Sequence, residues 1–295
     1  MLIVLSVLLL HGCSNFGYYL QAAGGHLEVL AKSRPIDDLV ADPATDPELK
    51  RKLKLVLDSR NFAIHDLDLP DNGSYLKYVD LNRTFAVWNV FAAPELSLTP
   101  KTWCFMIIGC VSYRGYFNRD RATAFAAELR EQGYDVYVGG ATAYSTLGWF
   151  SDPVLNTVLK RSDAEITGVV FHELAHQQLY VKNDSAFNES FAVTVELEGV
   201  RRWLALHKDS GKFETYERSI NRREEFVALV LKYRDQLNAM YGSSLPDNDK
   251  RQRKKDVFAG LRENYQTLKQ SWGGYGGYDG DVVLLFGKRE TTFGP

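Results

Sequence analysis

The segment that begins at Ser162 constrains this chain more than any other. It is predicted to form one helix, because Ser162 and Glu165 make a capping-box pattern at its start. Apolar residues follow on most faces, which is typical of a helix buried nearly all round. The same helix carries His172, Glu173 and His176. Each of these polar side chains needs a partner, because burial without one is costly.

The two histidines are four residues apart, so they project from one face of the helix, separated by about 6 Å along its axis. Both imidazoles can therefore reach one small cation, and Zn²⁺ is the ion that suits them best. Glu173 lies about 100° around the helix from His172. It is predicted to be the catalytic residue that takes a proton from water and later gives it to a leaving amine. The pattern predicts a zinc hydrolase, and the alternative is a pair of ordinary core histidines bonded to carbonyls.

A third metal ligand is predicted on the next helix, which follows a polar break at residues 182–185. The short turn makes the two helices antiparallel neighbours, which brings Glu189 beside the histidines. The alternative for Glu189 is a carboxylate that interacts favourably with the helix dipole. Glu196 lies seven residues further along the same face and is predicted to orient a ligand histidine. Glu198 is predicted to be a solvated surface charge, and His207 to lie too far along the helix to bind the ion.

The run Asn188-Glu189-Ser190-Phe191-Ala192, followed by Glu196, is similar to the Asn-Glu-Gly-Phe-Ala-x-x-x-Glu stretch of M1 aminopeptidases. Together with the His-Glu-x-x-His box it resembles the gluzincin arrangement of zinc peptidases. Over residues 13–280 the chain resembles a bacterial family of predicted aminopeptidase lipoproteins. The supporting runs lie at residues 13–19, 103–117 and 143–150.

This resemblance implies an α+β, zincin-like metallopeptidase fold with a β-rich N-terminal part, an active-site helix and a C-terminal helical part. It implies one Zn²⁺ held by His172, His176 and Glu189, and a peptide substrate. M1 aminopeptidases hold the free amine of the substrate with a Gly-x-Met-Glu-Asn motif, which is absent from this sequence. The favoured hypothesis is an aminopeptidase. An envelope zinc endopeptidase and a non-catalytic zinc-binding lipoprotein remain open as alternatives.

Three tyrosines are candidates to stabilise the oxyanion through a hydroxyl: Tyr144, Tyr275 and Tyr278. The alternative for the last two is that they anchor a glycine-rich loop on the surface. Tyr144 follows Gly139-Gly140 in a predicted strand, residues 134–147, which is a candidate to pair with an extended peptide. The alternative is a plain strand followed by a glycine turn.

The first residues are predicted to be a sorting signal. Met1 to Leu10 is an apolar run too short to span a bilayer, and it ends in a lipobox-like Leu-His-Gly-Cys sequence. Cys13 is the predicted site of lipidation, and Ser14 favours sorting to the outer membrane, facing the periplasm. The alternatives are an ordinary secretory signal and an uncleaved anchor. In each case the globular part is expected to be exported to the cell envelope.

The remaining sequence predicts one domain over residues 14–280, with a helical hairpin at 212–270 and a divergent tail at 281–295. The formal net charge of −2 argues against a nucleic-acid partner. Cys104 and Cys110 are an even pair in an oxidising compartment, so a disulfide is predicted, with two reduced core cysteines as the alternative.

Overall fold

The computed structural model describes residues 2–105, 109–142, 151–207 and 210–280, to which every structural statement below refers. Helices and short strands are interspersed along these residues, so the predicted α+β class is confirmed. From residue 17 onward, within these ranges, no helix combines the length and the apolar character that crossing a membrane requires. The predictions for Tyr144 and for the tail at 281–295 lie outside the described residues.

The described helices and strands have the following bounds. The helices are α1 (Leu2–Ala31), α2 (Ile36–Ala41), α3 (Pro47–Asp66), α4 (Arg119–Glu131), α5 (Asp163–Gln178), α6 (Ser185–Leu206), α7 (Ser210–Tyr241) and α8 (Asp247–Ser271). The strands are β1 (Arg34–Pro35), β2 (Lys77–Val79), β3 (Val87–Pro94), β4 (Trp103–Phe105), β5 (Gly109–Val111), β6 (Arg114–Tyr116), β7 (Tyr134–Ala141) and β8 (Val154–Leu155). They form small sheets of order β1-β2-β8, β6-β3-β7 and β4-β5.

The chain divides into two compact units. The first takes the described residues within Met1–Trp88, Gly115–Arg119 and Gly140–Ser210. The second takes those within Asn89–Arg114, Asp120–Gly139 and Gly211–Pro295. All the residues predicted to bind the metal belong to the first unit.

Helix α5 is the central helix of the first unit and packs against both α3 and α6. It begins at the predicted capping box: the Ser162 hydroxyl accepts from the Glu165 backbone N–H, and the Ser162 N–H donates to the Glu165 carboxylate. Its Phe171 is fully buried, with its ring centroid 5.8 Å from that of Phe62 on α3. The hydroxyls of Ser59 and Thr167 form a buried hydrogen bond of 2.8 Å between the same two helices. The prediction of a buried helix is therefore confirmed.

The connection from α5 to α6 is closed by Asn188. Its side-chain amide donates to the Val181 carbonyl and its oxygen accepts from the Val181 N–H, both at 2.8 Å. The Asp184 side chain caps α6 by accepting from the Phe187 N–H. Because Asn188 is buried and bonded on both sides, the residue that follows it, Glu189, has a defined position at the start of the second turn of α6.

Two glycines let α5 and α6 approach closely. A Cβ added at Gly168 would lie 3.2 Å from Cγ of Glu196 on the facing helix. A Cβ added at Gly199 would lie 2.6 Å from a ring carbon of Phe171 and 2.8 Å from Leu67. Larger side chains at these positions would push the helices apart, so the glycines set the distance between them.

The sheet of order β1-β2-β8 brings a loop before β2 beside the residues that lead into α5. Strands β2 and β8 are parallel, with Val79 opposite Leu155. Just before these two strands begin, the Tyr75 N–H donates to the Asp152 carbonyl at 2.7 Å. This pairing places the loop at residues 71–75 next to the C-terminal end of α5, where the Gln177 side chain accepts from Asn72 at 2.5 Å.

The second unit contains the predicted helical hairpin, formed by α7 and α8. Phe226 of α7 and Tyr265 of α8 are buried together, and Trp272 and Tyr278 pack against them. The unit also contains the antiparallel pair β4-β5, in which Cys104 and Cys110 lie directly opposite each other and form a disulfide.

We expect Gly199→Val to lower the free energy of unfolding by about 2 kcal/mol, because overpacking a filled core typically costs about 1–3 kcal/mol. Gly24→Val is the matched control, since a Cβ at Gly24 meets no atom within 4 Å. The control should change the free energy of unfolding by less than about 0.5 kcal/mol. Chemical denaturation followed by circular dichroism measures both values. Equal stability of the two variants would contradict the close helix packing.

Candidate metal centre

Helix α5 presents two histidines on one face, as their spacing predicts. The ring centroids of His172 and His176 are 4.8 Å apart, and the rings are nearly perpendicular. His176 is buried and His172 is partly buried. The Nε2 atoms of both rings face the same carboxylate, which comes from α6.

That carboxylate is Glu189. Its two oxygens lie 3.5 Å from Nε2 of His172 and 3.6 Å from Nε2 of His176. One ligand atom from each of the three residues lies within 4.8 Å of the others. Zinc bonds of about 2.1 Å at tetrahedral angles separate neighbouring ligand atoms by about 3.4 Å. The donor atoms and their spacing therefore fit one small divalent cation.

Glu196 contacts the other side of the His172 ring. Its Oε2 atom lies 3.0 Å from Nδ1, and because a carboxylate only accepts, the ring N–H is the donor. This bond leaves Nε2 of His172 directed toward Glu189 and fixes the plane of the ring. Nδ1 of His176 is buried and has no hydrogen-bond partner within the described residues. The structure thus holds the two histidines in different ways.

The two other candidates on α6 lie away from this cluster. The Glu198 side chain is 42% exposed and pairs with Arg201 and Arg202, which lower the pKa of its carboxyl to about 2. His207 forms the C-terminal cap of α6, and its ring lies 4.1 Å from the ring of Trp203.

The carboxylates strongly affect the pKa values of the histidines. Burial lowers the pKa of His172, but hydrogen bonds to Glu189 and Glu196 outweigh it and raise the pKa to about 9. Burial, followed by the charge of His172, lowers the pKa of His176. The bond from His172 lowers the pKa of Glu189. In the metal-free protein a proton on His172 thus balances part of the negative charge.

Glu173 lies next to His172 and is partly buried. Burial raises the pKa of its carboxyl to about 7; the charge of His172 opposes this rise, and the charges of Asp152, Glu189 and Glu196 add to it. A carboxyl with a pKa near neutrality can both accept and donate a proton at physiological pH. This is the property that the predicted role of Glu173 requires.

Tyr75 and Asp152, which were not predicted as site residues from the sequence, lie near Glu173. Tyr75 has φ of 64°, a conformation that is strained for a bulky residue. Burial, with the charges of Glu173 and Asp152, raises the pKa of the Tyr75 hydroxyl well above its usual value. Asp152 is buried, and one of its oxygens accepts from the Gln177 side chain at 3.4 Å. No local pattern in the sequence marks Tyr75. Asp152 lies two residues after the end of the run at 143–150, which is one of the runs that support the family resemblance.

Of the three tyrosines predicted to stabilise the oxyanion, Tyr144 lies outside the described residues. Tyr275 and Tyr278 belong to the second unit, where Tyr278 stacks on Phe226 at 4.4 Å and Arg222 lies 4.4 Å from the Tyr275 ring. Gly139 and Gly140 lie in β7, at an edge of its sheet, and a Cβ at Gly140 would overlap the Phe85 ring. Gly140 thus makes room for an aromatic side chain. The oxyanion and substrate-strand roles stay predictions.

A mixed α+β chain with two histidines one turn apart and a carboxylate facing both is a candidate metallohydrolase. The model of the family described as "Putative aminopeptidase" matches residues 17–283, and the chain belongs to this family. Its family therefore supports a peptidase at a coarse level. No curated protein and no solved structure matches the chain.

We expect Glu196→Gln to lower the pKa of His172 in the metal-free protein, because an amide does not stabilise an imidazolium as a carboxylate does. The folded-state pKa of about 9 lies above the usual 6.5, so this contact stabilises the fold below pH 6.5 and the effect is lost as the pH rises through about 9. An NMR titration of the imidazole protons measures the change. Glu198→Gln on the same helix is the control and should leave the pKa of His172 unaltered. An unaltered pKa in both variants would show that the Glu196 contact carries no energy.

Proposed function

We propose that this protein is a zinc-dependent peptidase of the bacterial cell envelope that acts as an aminopeptidase. The observation that carries the proposal is the convergence of His172, His176 and Glu189, with Glu173 directly beside them. Membership in the aminopeptidase family supports the reaction type.

His172, His176 and Glu189 would hold one Zn²⁺. Structural zinc sites normally have four protein ligands, whereas catalytic sites have three and keep one position open. The described residues supply three ligands, which supports a catalytic site. When bound, the ion supplies a Lewis acid that polarises the scissile carbonyl and makes water more acidic.

Glu173 carries the proton transfers in this proposal. As a carboxylate it accepts a proton from the water that attacks the scissile carbonyl, and as an acid it gives that proton to the leaving amine. In the metal-free protein, burial raises the pKa of this carboxyl to about 7. Glu196 supports the reaction indirectly, because its bond to Nδ1 keeps Nε2 of His172 directed at the ligand position.

The envelope location rests on the N-terminal residues. The apolar start of the chain and the lipobox-like sequence support processing and lipidation at Cys13, and Ser14 supports retention in the outer membrane, facing the periplasm. The partners in this proposal are a peptide substrate and the membrane, which the protein contacts through its lipid.

Glu173→Gln is expected to bind zinc as the unaltered protein does but to lose about 10²–10⁴-fold in peptide cleavage, because the amide cannot accept a proton. The test measures zinc content and cleavage of a mixed peptide library. It uses a chain expressed from residue 13 onward with Cys13→Ser, without and with Glu173→Gln, and Glu198→Gln is the control. Zinc binding without cleavage by either protein would favour a non-catalytic zinc-binding lipoprotein. Absence of zinc binding would remove the basis of the proposal.

An aminopeptidase should release residues one at a time from free N-termini and should not cut N-acetylated copies of the same peptides. Acetylation removes the positive charge, and two of the three N–H donors, by which an exopeptidase holds the end of its substrate. Mass spectrometry of paired free and acetylated peptides measures the difference. Equal cleavage of both copies at internal bonds would identify the endopeptidase alternative, in which all the metal-site residues keep their roles.

A further inference from the structure

Helix α1 carries a row of exposed apolar side chains, here called the α1 stripe: Tyr19, Leu20, Leu27 and Leu30. Their exposed fractions are 45%, 58%, 62% and 39%. At about 100° per residue these positions lie within roughly 100° of one another around the helix. Ala23 lies on the same side and is exposed too. The stripe is a continuous apolar surface on one side of the helix.

The opposite side of α1 is fixed to the first unit. Val29 is fully buried in a core cluster with Val79, Leu81 and Leu155. Phe117 packs so closely on the helix that a Cβ added at Gly25 would overlap its ring. These contacts determine which side of the helix faces outward.

A second pair of contacts fixes the helix nearer its start. The Gln21 amide donates to the Gly115 carbonyl at 3.2 Å and accepts from the Phe117 N–H at 3.3 Å. All of these contacts involve residues after Cys13, so they are retained when the chain is processed there. The stripe is therefore a stable outer face and is not available to pack into the unit's own core.

Two features of the sequence indicate what covers this face. No Asp, Glu, Lys or Arg occurs before Glu28, so the helix surface around the stripe carries no charge as far as Leu27. Cys13, Leu20 and Leu27 follow one another at intervals of seven residues within the same helix, so Cys13 precedes Leu20 by two turns, or about 10 Å of rise. A lipid on Cys13 would therefore hold the beginning of the stripe close to a bilayer surface.

We propose that the α1 stripe lies on the lipid bilayer, with its leucines inserted at the boundary between headgroups and acyl chains and Tyr19 at the headgroup level. The proposal rests on the proposed envelope location. The stripe adds apolar contact area to the attachment that a lipid on Cys13 would provide. Because it has no charge, its binding depends little on anionic lipid or on salt.

The test is co-sedimentation with phosphatidylcholine vesicles. It uses a chain expressed from residue 13 onward with Cys13→Ser, which lacks the lipid. We expect measurable binding that is insensitive to salt and falls about tenfold or more in the double variant Leu20→Glu/Leu27→Glu, because two inserted leucines become charged. The matched control is Leu206→Glu/Leu231→Glu. It adds the same charge at apolar positions that are 65% and 44% exposed on other helices, and it should bind as the unaltered chain does.

Absence of vesicle binding by the unaltered chain, or an equal loss in the control, would overturn the proposal. So would light scattering that shows a dimer which only the Leu20→Glu/Leu27→Glu variant dissociates, because the stripe would then contact a second copy. Zinc content and cleavage of peptides in solution are measured on the same samples. If the unaltered chain binds zinc and cleaves peptides but does not bind vesicles, this proposal fails while the peptidase function stands. If it binds vesicles but neither binds zinc nor cleaves peptides, only the peptidase function fails.

Discussion

The close contact between α5 and α6 is the constraint on which the candidate metal centre depends. The histidines lie on α5, whereas both carboxylates that contact them, Glu189 and Glu196, lie on α6. Gly168 and Gly199 allow the two helices to approach, and Asn188 closes the turn between them. A wider separation would leave the histidines buried and without the carboxylates, which is unfavourable for polar groups. Packing of small residues in the helix interface therefore determines the chemistry of the site.

The same contact concentrates negative charge around the histidines. Glu173, Glu189 and Glu196 all lie near His172. In the metal-free protein, hydrogen bonds to Glu189 and Glu196 outweigh burial and raise the pKa of His172 to about 9, while burial raises the pKa of Glu173 to about 7. A group of carboxylates partly removed from water is stabilised by positive charge, supplied either by a proton or by a cation. Zinc binding in our proposal uses this requirement, because the ion replaces the proton with a larger positive charge at the same place.

A second set of contacts holds the C-terminal end of α5. The Gln177 side chain contacts Asn72 and Asp152, and Asp152 also pairs through its backbone with Tyr75. The positive φ of Tyr75 shows that this loop adopts a conformation that its own residues disfavour. The pairing of β2 with β8 supplies the compensating interactions. The surroundings of Glu173 thus depend on strand β2, which is distant from α5 in sequence.

Much of the local structure could be predicted from the sequence, because its signals act over a few residues. The capping box at Ser162, the helix that carries His172 and His176, and the α7-α8 hairpin are all present as predicted. Spacing along a helix also predicted that Glu189 and Glu196 would share a face, since helix geometry is regular. By itself, then, the sequence determined the helices, their caps and the residue types that can bind a cation. Only the tertiary structure decided how near α6 approaches α5 and that Tyr75 and Asp152 lie beside Glu173. These features arise from packing and strand pairing between segments far apart in the chain, for which no local pattern exists.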